Sequence, residues 1–476
     1  MRNETLSFGI TNNTNGLVPV SLFGNDGDIQ DNSNVTTRYF WDVTSYSYDG
    51  NNNLSVVATS GGVTTTFNTT YSGNNLAGVI NALNQLNLGG FFLTTSGGTT
   101  YINIYSPNFT FGALTIGAST IFDTSFVVPN PSDGTPFNVD FLADGRVVVV
   151  GQFTLYDTSN ADSIVCFNTD GTVDTTFATN VGTGCDGSVA YDVKVRADGK
   201  IVVGGAFTSF NGTATNGIVI LNSDGTISNT QTSVTAQGIL KLIIDSNNKI
   251  VAVGQQIIGG VTGIVRFSST LVADGTFTPT SGFSGGLTVM DIVETFSGKY
   301  VVVGDFTSYD GNAVNYIVRI NTNGSFDGTF NIGTGFNATP QAIAYNSKGL
   351  FIVVGNVTSY KGNAISKIVG IDGSGNFDNS FTFGSGLNGT PRAVKTMTDD
   401  EIIVGGAFTT FDGQSYNNIV RLDEFGALDT TWVVGTGFDS TVYGISINSS
   451  NTEVACTGSF SVFDGNVSDQ TCLLNL

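Results

Sequence analysis

Short runs of β-branched residues that end in glycine recur through the C-terminal three-quarters of this chain, as in Ile201-Val202-Val203-Gly204-Gly205 and Ile402-Ile403-Val404-Gly405-Gly406. An apolar run of that length, bounded by turn residues, predicts a strand. About a dozen residues later a second strand is expected, at Ile317-Val318-Arg319-Ile320 or Ile419-Val420-Arg421-Leu422. Turns such as Ser223-Asp224-Gly225 and Thr322-Asn323-Gly324 follow, where Asn, Asp and Gly supply the backbone freedom of tight connections. Each unit is therefore predicted to be a small antiparallel sheet.

The units align on the residue two places after the glycine: Phe153, Phe207, Gln256, Phe306, Val357, Phe408 and Phe460, with successive differences of 54, 49, 50, 51, 51 and 52. This is an internal repeat of roughly 51 residues. A second signature, Asp-x-Ser/Thr-aromatic, follows the turn at Asp174, Asp327, Asp378 and Asp429, is shortened around Asp274, and has degenerated at Ser228 to Gln231. It also occurs before the first glycine strand, at Asp123-Thr124-Ser125-Phe126, whereas Cys472 to Leu476 ends without it. The segment 121–128 is thus placed to complete the last sheet and close a circle. Radial repetition protects the edges of an all-β chain. The expected fold is mainly β, a seven-bladed β-propeller over 121–476; an open β-solenoid is the alternative.

The glycine-glycine-x-phenylalanine strand, the second strand and the Asp-x-Ser/Thr-Phe turn together resemble the delta-60 β-propeller repeat. The resemblance covers roughly 121–476 and implies a fold and a binding surface rather than a reaction. It departs at Gln255-Gln256-Ile257 and at Asn356-Val357, so irregular third and fifth units are expected.

Residues 1–120 lack the period. They predict strands at Val18 to Phe23, Thr37 to Val43, Leu54 to Thr59, Val63 to Thr70 and Tyr101 to Tyr105. Leu76, Val79, Ile80, Leu83 and Leu86 fall at helical spacing, with Gly89 and Gly90 placed to end a helix over about 75–88. A small α+β domain with one helix on a sheet is expected. Its order of strand, Asn-rich turn, helix and Thr-Gly hairpin is similar to N-terminal modules of tailed-bacteriophage virion proteins, which implies a docking role.

Charge narrows the function. A formal net charge of −21 with no basic stretch excludes a nucleic-acid binder, since phosphate contacts need Lys and Arg clusters. No apolar run spans a bilayer, and Met1 to Thr5 opens no secretory signal, so release by lysis is expected. Cys166, Cys185, Cys456 and Cys472 show no metal spacing and are expected as free thiols.

The chain contains no His, which removes Ser-His and Cys-His nucleophilic machinery and His-ligated metals. Paired carboxylates remain, but the recurring Asp residues sit where the side chain caps a turn. Arg266, Arg319 and Arg421 occupy equivalent strand positions beside them and predict one ion pair within each unit. Calcium is the best metal candidate, at Asp26, Asp28 and Asp31 or at Asp372, Ser374, Asn376 and Asp378. The second set lacks the glycine and terminal Glu of an EF-hand loop, so solvated turns are expected at both.

The expectation is a non-enzymatic bacteriophage virion structural protein, of tail, fibre or head, with no cofactor, no metal and no catalytic residues. Its partners would be other virion proteins, further copies of itself as a homo-oligomer, and a host cell-surface glycan or protein. The alternatives are a secreted or surface bacterial adhesin that binds glycans and a polysaccharide-degrading propeller enzyme.

Overall fold

A computed structural model describes residues 121–476 apart from 129, 157, 158, 233–237, 259 and 287; of residues 1–120 it describes the backbone of the strands given below. The chain divides into two compact units, Met1–Ile121 and Phe122–Leu476.

In the first unit, Phe8–Ile10 pairs in parallel with Phe109–Ile116, which continues antiparallel through Thr99–Ser106 to Gly90–Ser96. A second sheet joins Asp42–Tyr48, Asn53–Ser60 and Val63–Thr70. The expected helix over 75–88, the strand at Val18 to Phe23 and the Asp26, Asp28 and Asp31 loop lie outside the described residues.

The second unit is mainly β and propeller-like. Its antiparallel sheets follow the repeat, and each opens with a first strand: Thr135–Phe141, Ala190–Val195, Ile239–Ile244, Thr288–Glu294, Pro340–Tyr345, Thr390–Thr396 and Val442–Ile447. A glycine-ended middle strand and a third strand complete each sheet, as in Tyr300–Asp305 with Ile317–Ile320. First strands pack side by side in chain order, and Val442–Ile447 packs beside Thr135–Phe141. The β-branched middle strands are buried, with Val148, Val203, Val302, Val353 and Val404 all at 0% exposure. Their side chains interlock with those of the neighbouring sheets, so no sheet has a separate core.

At the ends of the array, Phe122 forms an antiparallel bridge with Leu474, and the Asp123 amide donates to the Leu473 carbonyl at 3.0 Å. Phe126 joins Leu473 and Ala455 in one apolar cluster.

Three features differ from the sequence expectation. The fourth strand of a propeller sheet shrinks in most units to a single bridge, such as Ile320 to Phe326 or Leu422 to Leu428, because the Asp turn follows at once. Where the signature has degenerated, the same stretch forms a full strand, Ile227–Thr230. The fifth unit is regular: Val357 is buried where its neighbours have Phe, and the hairpin of Ser359–Tyr360 and Asn363–Ala364 is present. The third is irregular as expected, with Ile250–Ile258 running directly into Val261–Phe267. Finally, a helix forms at Thr175–Val181, unsignalled by periodicity, with the Asp174 carboxylate capping the Thr176 and Phe177 amides.

Candidate functional site in the central channel

The repeat glycine and the channel are linked through one backbone irregularity. Every first strand carries a register shift at the same place, before Asn138, Asp192, Lys241, Asp291, Ala342, Ala393 and Gly444. A β-bulge inserts one unpaired residue and re-aims side chains. The bulged backbone crowds the middle strand: a Cβ on Gly406 would stand 2.5 Å from the Thr390 carbonyl oxygen and 2.6 Å from the Pro391 Cα. Gly205 and Gly458 are crowded in the same way, at 2.1 Å from the Val189 and Thr441 carbonyl oxygens. The glycine that marks the repeat in sequence is thus the residue that admits the bulge.

Four of the bulged residues, from neighbouring first strands, meet one another at the mouth of the channel. Phe137 stacks on Tyr191 with centroids 5.9 Å apart and meets Tyr443 edge-on at 6.4 Å. The Arg392 guanidinium, exposed to solvent, lies over the Tyr443 ring at 5.8 Å.

Deeper in, the chemistry differs from strand to strand. Asp140, Asp192 and Asp291 face their neighbours and accept backbone N–H groups from the next first strand: Val195 at 2.7 Å, Leu242 at 2.6 Å and Ile343 at 3.0 Å. Asp140 also accepts from Ser446 at 2.7 Å, joining the first sheet to the last. Asp192 is fully buried, accepts from the Asn138 amide, and has the Lys241 ammonium 3.7 Å away. These carboxylates fasten adjacent sheets.

A cavity of about 280 Å³ opens beside them, lined by Lys194, Lys241, Lys395, Asp291, Ala342, Ala393 and Gly444 among others. Its volume falls just below the ~300–1,000 Å³ typical of ligand pockets. Burial opposes the charge on Lys194, but the Asp192, Asp140 and Asp291 carboxylates outweigh it and hold the ammonium above its ordinary value. Lys395 behaves oppositely. The Lys194 charge, then burial, pull it down to about 8 against the attraction of Asp291.

The residues singled out in the sequence lie elsewhere. Arg266, Arg319 and Arg421 form the expected ion pairs within their own units, to Asp274 at 2.8 Å, Asp327 at 2.6 Å and Asp429 at 2.6 Å. Each guanidinium also covers the aromatic of the same signature: Phe277 and Phe330 at 4.8 Å, Trp432 at 5.6 Å. Lys249 and Lys299 add a second cation to Asp274 and Asp327. Burial opposes ionisation of these two carboxyls, yet the donated hydrogen bonds prevail and hold both well below the usual range.

Asp372 accepts from the Ser374 and Asn376 amides, each at 2.8 Å, and Asp378 from Ser380, so both carboxylates serve turns. No cluster of three or more metal-ligating side chains occurs among the described residues. The four cysteines are buried free thiols. Burial raises the Cys166 thiol to about 12. Among the described residues no helix is long and apolar enough to cross a membrane.

Sequence reasoning missed the channel because it looked for residue types that repeat. It also missed Gly182-Thr183-Gly184, Gly333-Thr334-Gly335, Gly384-Ser385-Gly386 and Gly435-Thr436-Gly437, whose glycines all have positive φ. The 51-residue spacing of the last three was the available signal.

Four segments, 142–177, 196–230, 297–330 and 398–431, match the family model described as a domain of unknown function (DUF5122) beta-propeller. No curated protein matches the chain. Among solved structures, a gluconolactonase of Xanthomonas campestris is similar at 11% identity and a TM-score of 0.39, covering 73% of this chain and 97% of its own. PorZ, a bacterial surface component of the type-IX secretion system of Porphyromonas gingivalis, is similar at 12% and 0.41, covering 89% of this chain and 55% of its own. The Dos1 propeller is similar at 9% and 0.42, covering 73% of this chain and 95% of its own. Residues 122–476 are thus a propeller-like array of repeated sheets, four segments of which match a β-propeller family model.

Proposed function

We propose that this chain is a non-enzymatic virion structural protein: a seven-bladed propeller of the delta-60 type over 121–476, closed by 121–128 and presented by a docking domain at 1–120. Its partners would be other virion proteins, further copies of itself and a host-surface glycan or protein. A rigid ring holding many weak loop contacts gains avidity from their number.

The observation that supports a non-catalytic reading is the use made of the carboxylates. Glycoside cleavage needs two carboxyl groups free to act across a cleft. Here Asp274, Asp327 and Asp429 are taken up by Arg and by turn donors, and Asp140, Asp192 and Asp291 by the amides of adjacent sheets. Mass spectrometry of purified particles from the source should find the chain at fixed copy number. Its recovery only from a cell-envelope or secreted fraction would overturn the virion role, and release of reducing sugar ends from polysaccharide by the pure protein would overturn the non-enzymatic one.

A second reading, a bacterial surface protein that binds glycans, is favoured by the mouth of Phe137, Tyr191, Tyr443 and Arg392, which offers ring faces beside a fixed cation.

A further inference from the structure

We propose that the central cavity binds a small polyanion, a molecule with two or more carboxylates or phosphates, held by Lys194, Lys241 and Lys395. The site is independent of whether the protein resides on a particle or on a cell.

Lys194, Lys241 and Lys395, from three first strands, line a cavity of about 280 Å³, and the small Ala342, Ala393 and Gly444 beside them leave it room. Like charges are rarely gathered in a confined space unless a counter-charge balances them. Asp140, Asp192 and Asp291 attract Lys194, but of the three only Asp291 lines the cavity, where with Glu294 it faces Lys194, Lys241, Lys395 and Arg392. Lys241 has Asp192 at 3.7 Å, whereas no carboxylate stands within ion-pair distance of Lys194 or Lys395 among the described residues. Both side chains line the cavity. Arg392 at the aromatic mouth adds a fourth cation on the way in. Glu294, at the opposite end, is occupied by the Ser246 amide and hydroxyl at 2.7 and 2.8 Å.

The lowering of Lys395 to about 8 fits this account, since two ammonium groups in one cavity repel until an anion enters. Binding above pH 8 should therefore carry proton uptake, as the bound charge restores the Lys395 ammonium.

The test is titration calorimetry of the full chain with citrate and with pyrophosphate, at low salt, in two buffers of different ionisation enthalpy. Either anion should bind, and the preferred one identifies the source chemistry. Lys395→Gln and Lys194→Gln should each weaken binding at least tenfold; Lys395→Gln relieves a charge repulsion and so is expected to fold, and the fold of Lys194→Gln, which takes a cation from three carboxylates, is checked by circular dichroism. Ala393→Met keeps every lysine and fills the cavity, so it should abolish binding and guards against a folding artefact in the lysine variants. The proposal fails if neither anion binds at millimolar concentration, or if binding survives unchanged in Lys395→Gln or in Ala393→Met.

Discussion

Two parts of the repeat can be set side by side: the outer corner, where in three units Asp meets Arg beneath an aromatic ring, and the inward edge of the first strand. Both recur every 51 residues or so, yet they vary in opposite ways. Arg266, Arg319 and Arg421 reproduce one contact with near-identical geometry. The equivalent inward positions read Asn138, Asp192, Lys241, Asp291, Ala342, Ala393 and Gly444. Made in the same way in the three units that carry the Arg, this contact serves the scaffold. A position with fixed backbone and varied side chains serves the common channel, which needs only one composite surface. The repeated part carries stability and the varied part carries chemistry.

The sharpest way to break this comparison is at the corner itself. Asp327→Ala leaves Arg319 and Lys299 half-buried without their partner and should cost about 3 kcal/mol in urea unfolding. Asp378 has the same turn bonds to Ser380, but Gly370 stands where the Arg would be and Phe381 fills the space beside it. Asp378→Ala should therefore cost only about 1 kcal/mol. Equal losses at the two sites would remove the ion pair from the account of the scaffold.

Next in size is Gly406→Ala, which presses a Cβ against the bulged backbone of Thr390 and Pro391. A loss of about 2 kcal/mol is expected, measured as a lower denaturation midpoint at unchanged slope. An unaffected midpoint would break the link between repeat glycine and bulge.

Smaller effects come from pH. Asp274 and Asp327 ionise more readily folded than unfolded, so the stability they contribute is present above about pH 4 and is lost as pH falls further. Arg319→Met should flatten that acid limb. Lys395 shifts in the same direction, its folded value of about 8 lying below its unfolded one, but here the shift is a cost to the folded state while the group is charged in the unfolded chain. The unfolded chain then holds more protons from pH 8 to about 10.5, and stability should rise across that window. Lys395→Met should abolish the rise, as followed by thermal unfolding, while leaving the acid limb unchanged.

Much of the scaffold was legible in the chain. Val-Ile runs, the glycine that ends them and the Asp turn each report a local demand: a buried strand, a close approach, a capped corner. The ion pairs were legible too, since Arg319 and Asp327 are eight residues apart and joined by one tight turn. The regularity of the fifth unit was not, because Val357 fills by burial a place that its residue type did not advertise. Nor was the helix at Thr175–Val181, because Asp174 caps it with the same kind of bond that Asp327 and Asp429 make in turns without a helix.

The sequence by itself determined the repeat, its strands and the chemistry of each corner, because these depend on residues close in the chain. Tertiary structure alone decided the channel. Lys194, Lys241 and Lys395 are separated by many residues and sit at ordinary strand positions, so nothing local distinguishes them. Their charges act on one another only because the first strands are arranged around a shared cavity, where burial strengthens the field between groups that the chain keeps far apart.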